Sequence, residues 1–352
     1  MEPTMTMDFS LTATQQAVAD VVTSVLERDL TWEALVSGGV TALPLPERLG
    51  GDGLGLAEVA TVLTEVGRRG AITPALATLG FGVVPLLDLA TDAQQDRFLS
   101  GVAAGGVLTA ALNEPGTALP DRPATTFAGG RLSGTKVGVG YAGQAEWMVV
   151  TADSAVVVVS PTADGVVLAP TPTSNGSEEY TVTFVDVAVD AADVLVGADS
   201  GGVHRVNQLV LAMTGAYADG LVAGALRLTA DYVANRTQFG KPLSTFQTVA
   251  AQLAEVYIAS RTIDLASKSV IWRLSEEVPD SFATDCDLDV LAYWVASEAP
   301  PAMQTCHHLH GGAGMDITYP MHRYYSAIKD LTRFLGGPSH RLDLVGAQCT
   351  SN

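Results

Sequence analysis

A basic residue, amides and aromatic side chains are grouped in the last third of the chain, directly after a long stretch with helical periodicity. The run is Arg236-Thr237-Gln238-Phe239-Gly240-Lys241-Pro242-Leu243, followed by Phe246-Gln247. The guanidinium of Arg236 is a planar fork of donors that suits a pyrophosphate, and each charge-assisted hydrogen bond contributes about 1.5–3 kcal/mol. Phe239 can pack against a ring, and Gly240 permits a turn before the next helix. A basic helix C-cap would explain Arg236 and Gly240 but leaves Phe246-Gln247 unexplained.

A second candidate segment is rich in glycine and follows a group of histidines. It reads His308-Leu309-His310-Gly311-Gly312-Ala313-Gly314. Without side chains, the backbone N–H groups at Gly311-Gly312 can approach a phosphate or ribose closely, although ordinary turns between helices have similar glycines. The nearby His307, His308, His310 and Cys306 suggest a metal site as an alternative. No carboxylate accompanies them at metal-ligand spacing, so no metal is predicted.

The hydrophobic pattern indicates which elements position these two segments. Helical periodicity covers much of the first hundred residues, and β-branched residues alternate or cluster between Arg131 and Val189. After Gly201-Gly202 the helical period returns in four long stretches, roughly 203–235, 245–277, 282–309 and 320–335. We therefore predict an α+β fold with an N-terminal α-helical domain over 1–104, a middle β domain over 105–200 and a C-terminal four-helix bundle over 201–352.

Composition and charge exclude several classes of protein. The 352 residues are 47% hydrophobic and 16% charged, which fits a large buried core. A formal net charge of -19 argues against nucleic acid or an anionic membrane as a partner. The first basic residue is Arg28, no secretory signal is visible, and no apolar run reaches about 18 residues. The three cysteines are scattered and predict neither a disulfide framework nor a zinc site. We expect a cytoplasmic protein.

In their order along the chain, these motifs resemble those of the acyl-CoA dehydrogenase family. Asp8-Phe9-Ser10-Leu11-Thr12, Leu45-Pro46-Glu47 with Gly50-Gly51, and Gly134-Thr135-Lys136 also fall where the family has similar residues. The resemblance implies an FAD cofactor, an acyl-CoA substrate and an electron-transfer acceptor. In that family the flavin lies across a subunit interface, and one subunit holds the adenine and pyrophosphate end of its neighbour's FAD. The residues implied in these contacts are Arg236, Gln238, Phe239, Gln247, His308, Gly311 and Gly312, with His308 where many relatives have Gln.

The segments that line the flavin ring in relatives are altered here. The family has Thr-Glu-Pro followed by Gly-Ser-Asp, whereas this chain has Asn113-Glu114-Pro115-Gly116-Thr117-Ala118. After Lys136 it reads Val137-Gly138-Val139-Gly140-Tyr141, so glycine replaces both the aromatic that would cover the ring and the hydroxyl that would donate to it. A ring bound here would lack those contacts.

The catalytic glutamate of most relatives also has no counterpart. Its usual place falls at Leu335, before Gly336-Gly337, and a second known place falls near Asn207-Gln208. A positioned base contributes about 10²–10⁴-fold, or about 3–5 kcal/mol of barrier, in removing the α-proton of a thioester. A relocated base remains an alternative, and the candidates near in sequence are Asp330, His340 and Asp343.

The chain looks particularly like the non-catalytic subunit of the α₂β₂ acyl-CoA dehydrogenases of bacterial steroid side-chain degradation. The resemblance rests on the run Leu132 to Val139 and on His310-Gly311-Gly312, Asp316, Tyr319-Pro320 and His322-Arg323. It implies a heterotetramer in which a catalytic partner supplies the base and an acyl-CoA, such as a steroid side-chain ester, is oxidised to the trans-2-enoyl-CoA. The alternatives are a homotetrameric dehydrogenase with a relocated base and a flavin-free structural or regulatory subunit.

Overall fold

The first domain is helical, as the periodicity predicted. The computed structural model describes residues 9–153, 155–195, 201–275 and 281–350. The helices of this domain are α1 (Ala13–Arg28), α2 (Trp32–Ser37), α3 (Leu56–Arg68), a π-helical segment (Leu76–Val83) that runs into α4 (Val84–Leu89), and α5 (Asp92–Leu99). A capping box begins α1, since Thr12 Oγ1 accepts the Gln15 N–H at 3.2 Å and Gln15 Oε1 accepts the Thr12 N–H at 2.9 Å.

Two sheets form the middle of the chain. The strands are β1 (Val107–Ala111), β2 (Thr126–Ala128), β3 (Arg131–Gly140), β4 (Ala145–Ala152), β5 (Ala155–Val159), β6 (Val166–Pro170) and β7 (Glu179–Ala188). One sheet has the order β1-β4-β5 with β1 parallel to β4, and the other is antiparallel with the order β2-β3-β7-β6. The sequence did not predict β1 or β2. All of β1 is buried, so it lacks the alternation that identifies a half-exposed strand.

The last domain contains more helices than the sequence predicted. A hairpin of β8 (Thr237–Gln238) and β9 (Lys241–Pro242) follows the first long helix, α6 (Gly202–Asn235). The remaining helices are α7 (Gln247–Ser275), α8 (Ser281–Ser297), α9 (Ala299–His310), α10 (Met321–Phe334) and α11 (Gly337–Thr350). The single helix predicted over 282–309 is wrong, because Pro300 and Pro301 lack N–H groups and are tolerated only in the first turn, so α9 begins anew there. The helix α11 follows the four stretches that the sequence predicted.

The central element is α6, which spans 34 residues between the β domain and the hairpin. It is long and apolar enough to cross a membrane by composition, but 89% of its most apolar window is buried inside the protein. Along its middle it packs against α3 without an intervening layer of side chains. A Cβ added to Gly220 would lie 2.0 Å from the Thr64 carbonyl oxygen, and one added to Gly224 would lie 2.2 Å from that of Arg68. Packing in the core therefore holds α6 in position, and α6 in turn positions the segments at its two ends.

Candidate functional site

The hairpin after α6 presents the first motif to solvent. The Arg236 N–H donates to the Tyr232 carbonyl at 2.8 Å, and the Leu243 N–H returns to the Arg236 carbonyl at 2.9 Å. Phe239 and Gly240 both have positive φ, +52° and +78°, as the two central residues of a type I′ hairpin turn require. This geometry places the Phe239 side chain in water with 89% of its surface exposed.

Aromatic contacts hold the hairpin against the start of α7. The rings of Phe239 and Phe246 meet edge to face with centroids 6.2 Å apart, and Lys241 Nζ lies 4.3 Å from the Phe246 centroid. The side chains of Arg236, Gln238 and Gln247 are exposed around this cluster. Within the described residues Arg236 makes no ion pair, so its guanidinium is available to an anion.

The glycine motif forms an open turn at the end of α9. Gly311 has φ +55°, and a Cβ added at Gly311 or Gly312 would meet nothing within 4 Å. His308 is exposed beside the turn, whereas His310 is buried. His310 Nδ1 lies 2.8 Å from the Cys306 carbonyl oxygen, and its Nε2 lies 3.0 Å from the Tyr319 hydroxyl. Burial lowers the pKa of His310, so the neutral ring serves as a structural hydrogen-bonding group.

One stacked pair of rings brings the two motifs together. Tyr232 lies one turn before Arg236, and His310 lies directly before Gly311. Their rings stack with centroids 4.5 Å apart and planes inclined by 29°, and Tyr319 packs against both. The end of α6 and the end of α9 thus form one surface, which we call the motif surface. It comprises Arg236, Gln238, Phe239, Gln247, His308, Gly311 and Gly312. The sequence did not reveal the Tyr232 contact, which joins residues distant along the chain.

These residues fit the polar part of a dinucleotide. They offer a cation, amide and imidazole donors, and backbone that no side chain screens. The surface is open, since exposed Met315 and Ile317 lie just beyond the glycine turn with 80% and 76% of their surface in water.

Two charged residues at the ring-lining segments, Glu114 and Lys136, are buried and paired with each other. The Glu114 carboxylate accepts hydrogen bonds from the Ala124 and Thr125 N–H groups, the Thr125 hydroxyl and Lys136 Nζ at 2.7–2.8 Å. Burial alone would raise the pKa of Glu114, but the bonds from Lys136, Thr125 and Ala124 outweigh it and lower the pKa to about 2. Lys136 is itself fully buried and also donates to the Leu112 carbonyl. Glu114 is therefore an ionised structural group.

The two positions at which relatives have a catalytic glutamate are occupied by other side chains. Leu335 is buried, and Gly336 follows it with φ +81°. On α6, Asn207 Nδ2 donates to the Leu119 carbonyl at 3.1 Å, and Gln208 Nε2 donates to Asp285 Oδ1 at 2.7 Å. Both amides hold neighbouring elements in place.

The three candidates for a relocated base differ in their surroundings. Asp330 accepts the Ser174 and Asn175 N–H groups at 2.9–3.0 Å and so holds the loop between β6 and β7. Asp343 is exposed on α11. His340 donates to the Ala118 backbone, and its Nε2 is buried without a hydrogen-bond partner among the described residues. Burial lowers the pKa of His340, and the charge of Arg341 lowers it further.

His340 lines a cavity of about 310 Å³ between the β domain and the start of α11. We call it the ring-side cavity, and its walls are Asn113, Glu114, Gly116, Thr117, Ala118, Val137, Gly138, Arg333, Gly336 and His340. A smaller cavity of about 110 Å³ lies beside it under α10 and also reaches Gly138. The rings of Phe81 and Phe334 line this smaller cavity and stack on each other with centroids 5.2 Å apart.

A further charged contact that the sequence did not predict lies at the start of α6. His204, at the start of α6, has Nδ1 3.4 Å from Asp121 Oδ1 and Nε2 3.0 Å from Asp285 Oδ1. The hydrogen bonds that His204 donates to the Asp121 and Asp285 carboxylates raise its pKa to about 10. The contact joins the loop after β1, α6 and α8.

Comparison with known proteins agrees with the order of domains. Residues 8–106 match the family model "Acyl-CoA dehydrogenase, N-terminal domain", and residues 212–347 match "Acyl-CoA dehydrogenase, C-terminal domain". The chain is 77% identical to Acyl-CoA dehydrogenase FadE28 of Mycobacterium tuberculosis, over 98% of this chain and 99% of that protein. It is 30% identical to Acyl-CoA dehydrogenase FadE27 of the same organism, over 97% and 93%.

Two solved complexes have the same fold. The ChsE4-ChsE5 complex from Mycobacterium tuberculosis contains a chain with a TM-score of 0.89 and 27% identity, covering 98% of this chain and 100% of that one. A variant of the Tcur3481-Tcur3483 steroid ACAD gives a TM-score of 0.85 and 29% identity, covering 96% and 98%.

Proposed function

Because the chain belongs to the acyl-CoA dehydrogenase family of FAD-dependent oxidoreductases, we propose that it is the non-catalytic subunit of a heteromeric member. In this proposal a partner subunit supplies the catalytic base and seats the flavin ring. This chain contacts the adenine and pyrophosphate end through Arg236, Gln238, Phe239, Gln247, His308, Gly311 and Gly312. The complex forms the 2,3-double bond of an acyl-CoA thioester and passes electrons to a separate acceptor in the cytoplasm.

The observation that carries the proposal is the contrast between exposed ligand-binding groups and a saturated carboxylate. Arg236 faces solvent without an ion pair to any residue in the described ranges, beside glycines that would admit a phosphate. Glu114, the carboxylate on the ring-side cavity, accepts four hydrogen bonds, has a pKa of about 2 and cannot accept a proton at neutral pH. The chain thus keeps groups that can bind the cofactor, whereas the carboxylate at its ring-side cavity cannot act as a proton acceptor.

The relatives support a hetero-oligomer and a steroid substrate. Two structural neighbours are complexes of two differently named chains, and one of them is called a steroid ACAD. Exposed Phe239, Met315 and Ile317 beside the motif surface supply apolar area that a partner chain would bury. We therefore propose an α₂β₂ heterotetramer acting on a steroid side-chain CoA ester.

The chemistry divides between cofactor and protein. FAD, when bound, accepts the hydride from the β-carbon of the thioester. Arg236 would neutralise pyrophosphate charge, and Gln238 and Gln247 would orient the ligand through their amides. Phe239 would cover an apolar face and exclude water. The partner's base would remove the α-proton.

His340 supports one alternative, a dehydrogenase in which this chain carries a relocated base. Its Nε2 is buried without a hydrogen-bond partner in the described part of the chain, and the residue lines the ring-side cavity. A flavin-free structural subunit is the other alternative.

Flavin content separates these functions. Expression together with the adjacent reading frame is expected to yield a yellow complex with about half a flavin per chain, while this chain alone is colourless and inactive. One flavin per chain with turnover by the isolated chain would establish the relocated base instead. A colourless complex would support the alternative that this chain is a flavin-free structural subunit.

A further inference from the structure

We infer that a cavity between α3, α6 and α7 binds a primary alkylammonium ion, with Asp219 and Ser267 as its polar contacts. The cavity has a volume of about 250 Å³, and residues at the start of α1 also line it. We call it the Asp219 cavity, and its wall includes Phe9, Leu11, Thr61, Asp219, Ser267 and Trp272. None of these residues belongs to the motif surface or to the ring-side cavity, so the site is separate from the proposed flavin contacts.

Asp219 is a buried carboxylate without a partner. It lies in the middle of α6 with 6% of its surface exposed. It makes no hydrogen bond and no ion pair to any residue in the described ranges. Its oxygens are not among the fully enclosed unpartnered atoms of that part of the chain, so they remain accessible from the cavity. Burying an unpaired carboxylate is costly, and a ligand that pairs with it removes that cost.

Ser267 is a second buried polar group on the same wall. It lies on α7, one turn after Asp264, with 3% of its surface exposed. Its hydroxyl has no hydrogen-bond partner among the described residues, and it is not fully enclosed either. Thr61 and Thr64 also line the cavity and donate their hydroxyls to backbone carbonyls at 2.9 Å and 3.1 Å, so their oxygens can still accept. A ligand with several N–H donors matches such acceptors.

The cations on the wall already have partners. Lys268 Nζ lies 2.9 Å from Asp264 Oδ1, and Arg68 Nε lies 3.0 Å from Glu65 Oε1. Of the three carboxylates that the described residues place on the wall, only Asp219 is left without a cation. A positively charged ligand therefore fits this position.

The rest of the wall is largely apolar and favours an organic cation over a metal ion. Phe9, Leu11, Ile271 and Trp272 line the cavity together with alanines of α3. Such side chains cannot ligate a metal, and the described residues include no group of three or more His, Cys, Asp or Glu placed to hold one. They can pack against an alkyl chain, and a volume of about 250 Å³ admits a chain of about four carbons.

Binding should release a proton below neutral pH. The charged groups around the Asp219 carboxyl are Glu65 and Arg68 on α3 and Asp264, Lys268 and Arg261 on α7. Burial and the charge of Asp264 raise the pKa of Asp219 to about 7, and the nearby cations oppose this only in part. An alkylammonium pairs with the ionised carboxylate and, like a lysine, stays protonated below about pH 9. The affinity should be constant above about pH 8 and fall by up to about tenfold per pH unit below about pH 6.

Calorimetric titration of the full chain with n-butylammonium chloride tests the site. We expect one ion per chain with a Kd at or below about 1 mM. At pH 7 about half a proton should be released per ion, read from buffers that differ in ionisation enthalpy. Ethylammonium should bind about three- to tenfold more weakly because it buries two fewer methylene groups. Potassium ion should bind at least about tenfold more weakly than n-butylammonium.

Two variants and a matched control identify the groups. Asp219→Asn removes the charge at nearly constant volume, so we expect binding at least about tenfold weaker and no proton release. Ser267→Ala removes one acceptor and should weaken binding by about three- to tenfold while proton release is kept. Asp231→Asn is the control, because it makes the same charge change on the same helix at an exposed position outside the cavity. It should bind like the parent.

Four results would overturn the inference: no binding of n-butylammonium, equal affinity in Asp219→Asn, potassium binding as tightly as n-butylammonium, or no proton release at pH 7. Thermal unfolding of each variant confirms that it is folded, and Ser267→Ala tests the site without changing a charge. Flavin content of the complex is a separate measurement, so failure of this inference and failure of the proposed function are distinguishable.

Discussion

The motif surface and the ring-side cavity differ in how far their polar side chains are exposed to solvent. At the motif surface, Arg236 is exposed and Phe239 has 89% of its surface in water, while the backbone at Gly312 is unobstructed. At the ring-side cavity, Glu114 accepts four hydrogen bonds, and Lys136, which donates one of them from behind the wall, has no exposed surface. We therefore expect substitutions at the motif surface to weaken ligand binding without changing the free energy of unfolding. Substitutions of the buried charged pair at the ring-side cavity should mainly lower the free energy of unfolding.

The largest effect is expected from Lys136→Met. This change leaves the Glu114 charge buried without its cation, and we expect the free energy of unfolding to fall by about 3–5 kcal/mol. Denaturant unfolding measures the loss, and the double variant with Glu114→Gln should recover a large part of it because no charge remains. The control is Arg131→Met, whose 3.7 Å pair with Asp186 is exposed and contributes below about 1 kcal/mol. Equal losses in both single variants would contradict the structural role of Glu114.

Acid titration tests the same pair. Because the pKa of Glu114 is lowered to about 2 from 4.5, its contribution to stability is present above pH 4.5 and is lost as pH falls through about 2. The loss amounts to about 3 kcal/mol, and it should be absent in Glu114→Gln. Thermal unfolding of the parent and of Glu114→Gln between about pH 5 and about pH 2 measures the difference.

A smaller effect on binding is expected at the motif surface. Arg236→Gln removes charge-assisted bonds to a pyrophosphate, so flavin affinity of the complex should fall by about 10- to 100-fold. The free energy of unfolding should change by less than about 0.5 kcal/mol, because the side chain is exposed. Retained flavin after dialysis and denaturant unfolding give the two readings. A loss of stability without loss of flavin would reverse the comparison between the two regions.

A pair of glycine substitutions sharpens the contrast. Gly220→Ala places a methyl group against the Thr64 carbonyl and should destabilise the protein by about 1–3 kcal/mol. Gly312→Ala meets nothing within 4 Å and should leave stability within about 0.5 kcal/mol while weakening flavin retention. If Gly312→Ala retains flavin as the parent does, the glycine turn is not a phosphate contact.

The smallest effect concerns His204. Its pKa is raised to about 10 by Asp121 and Asp285, so the stabilisation is complete below about pH 6.5 and is lost as pH rises through about 10. His204 is nearly half exposed, which limits the contribution to below about 1 kcal/mol. Unfolding at low and high pH should show a steeper decline for the parent than for His204→Gln.

The sequence predicted the features that depend on neighbouring residues or on the order of motifs along the chain. The order of helical, β and helical domains is confirmed, because hydrophobic periods are properties of consecutive residues. The boundaries at 104 and 200 and the roles of the seven motif residues stay predictions. Residues 196–200, beside the second boundary, lie outside the described ranges.

Contacts between distant residues were not predictable from spacing. The Tyr232–His310 stack, the Phe81–Phe334 stack and the bridge from His204 to Asp121 and Asp285 each join different elements. Glu114 appeared in the sequence as part of an altered motif, and only its four donors show that its proton affinity is suppressed. Periodicity failed at β1, where burial on both faces removes the alternation, and over 282–309, where two prolines interrupt a continuous apolar pattern.

The single uninterrupted helix α6 sets the angle about its axis between the His204 contact at its start and the motif surface at its end. Its 34 residues extend about 50 Å, from the turn that carries His204 to the hairpin that begins at Arg236. Each residue advances a helix by about 100°, so inserting or deleting one would swing the guanidinium around the axis and away from the glycine turn. The number of residues in α6, as much as their identity, is therefore fixed by the geometry it spans.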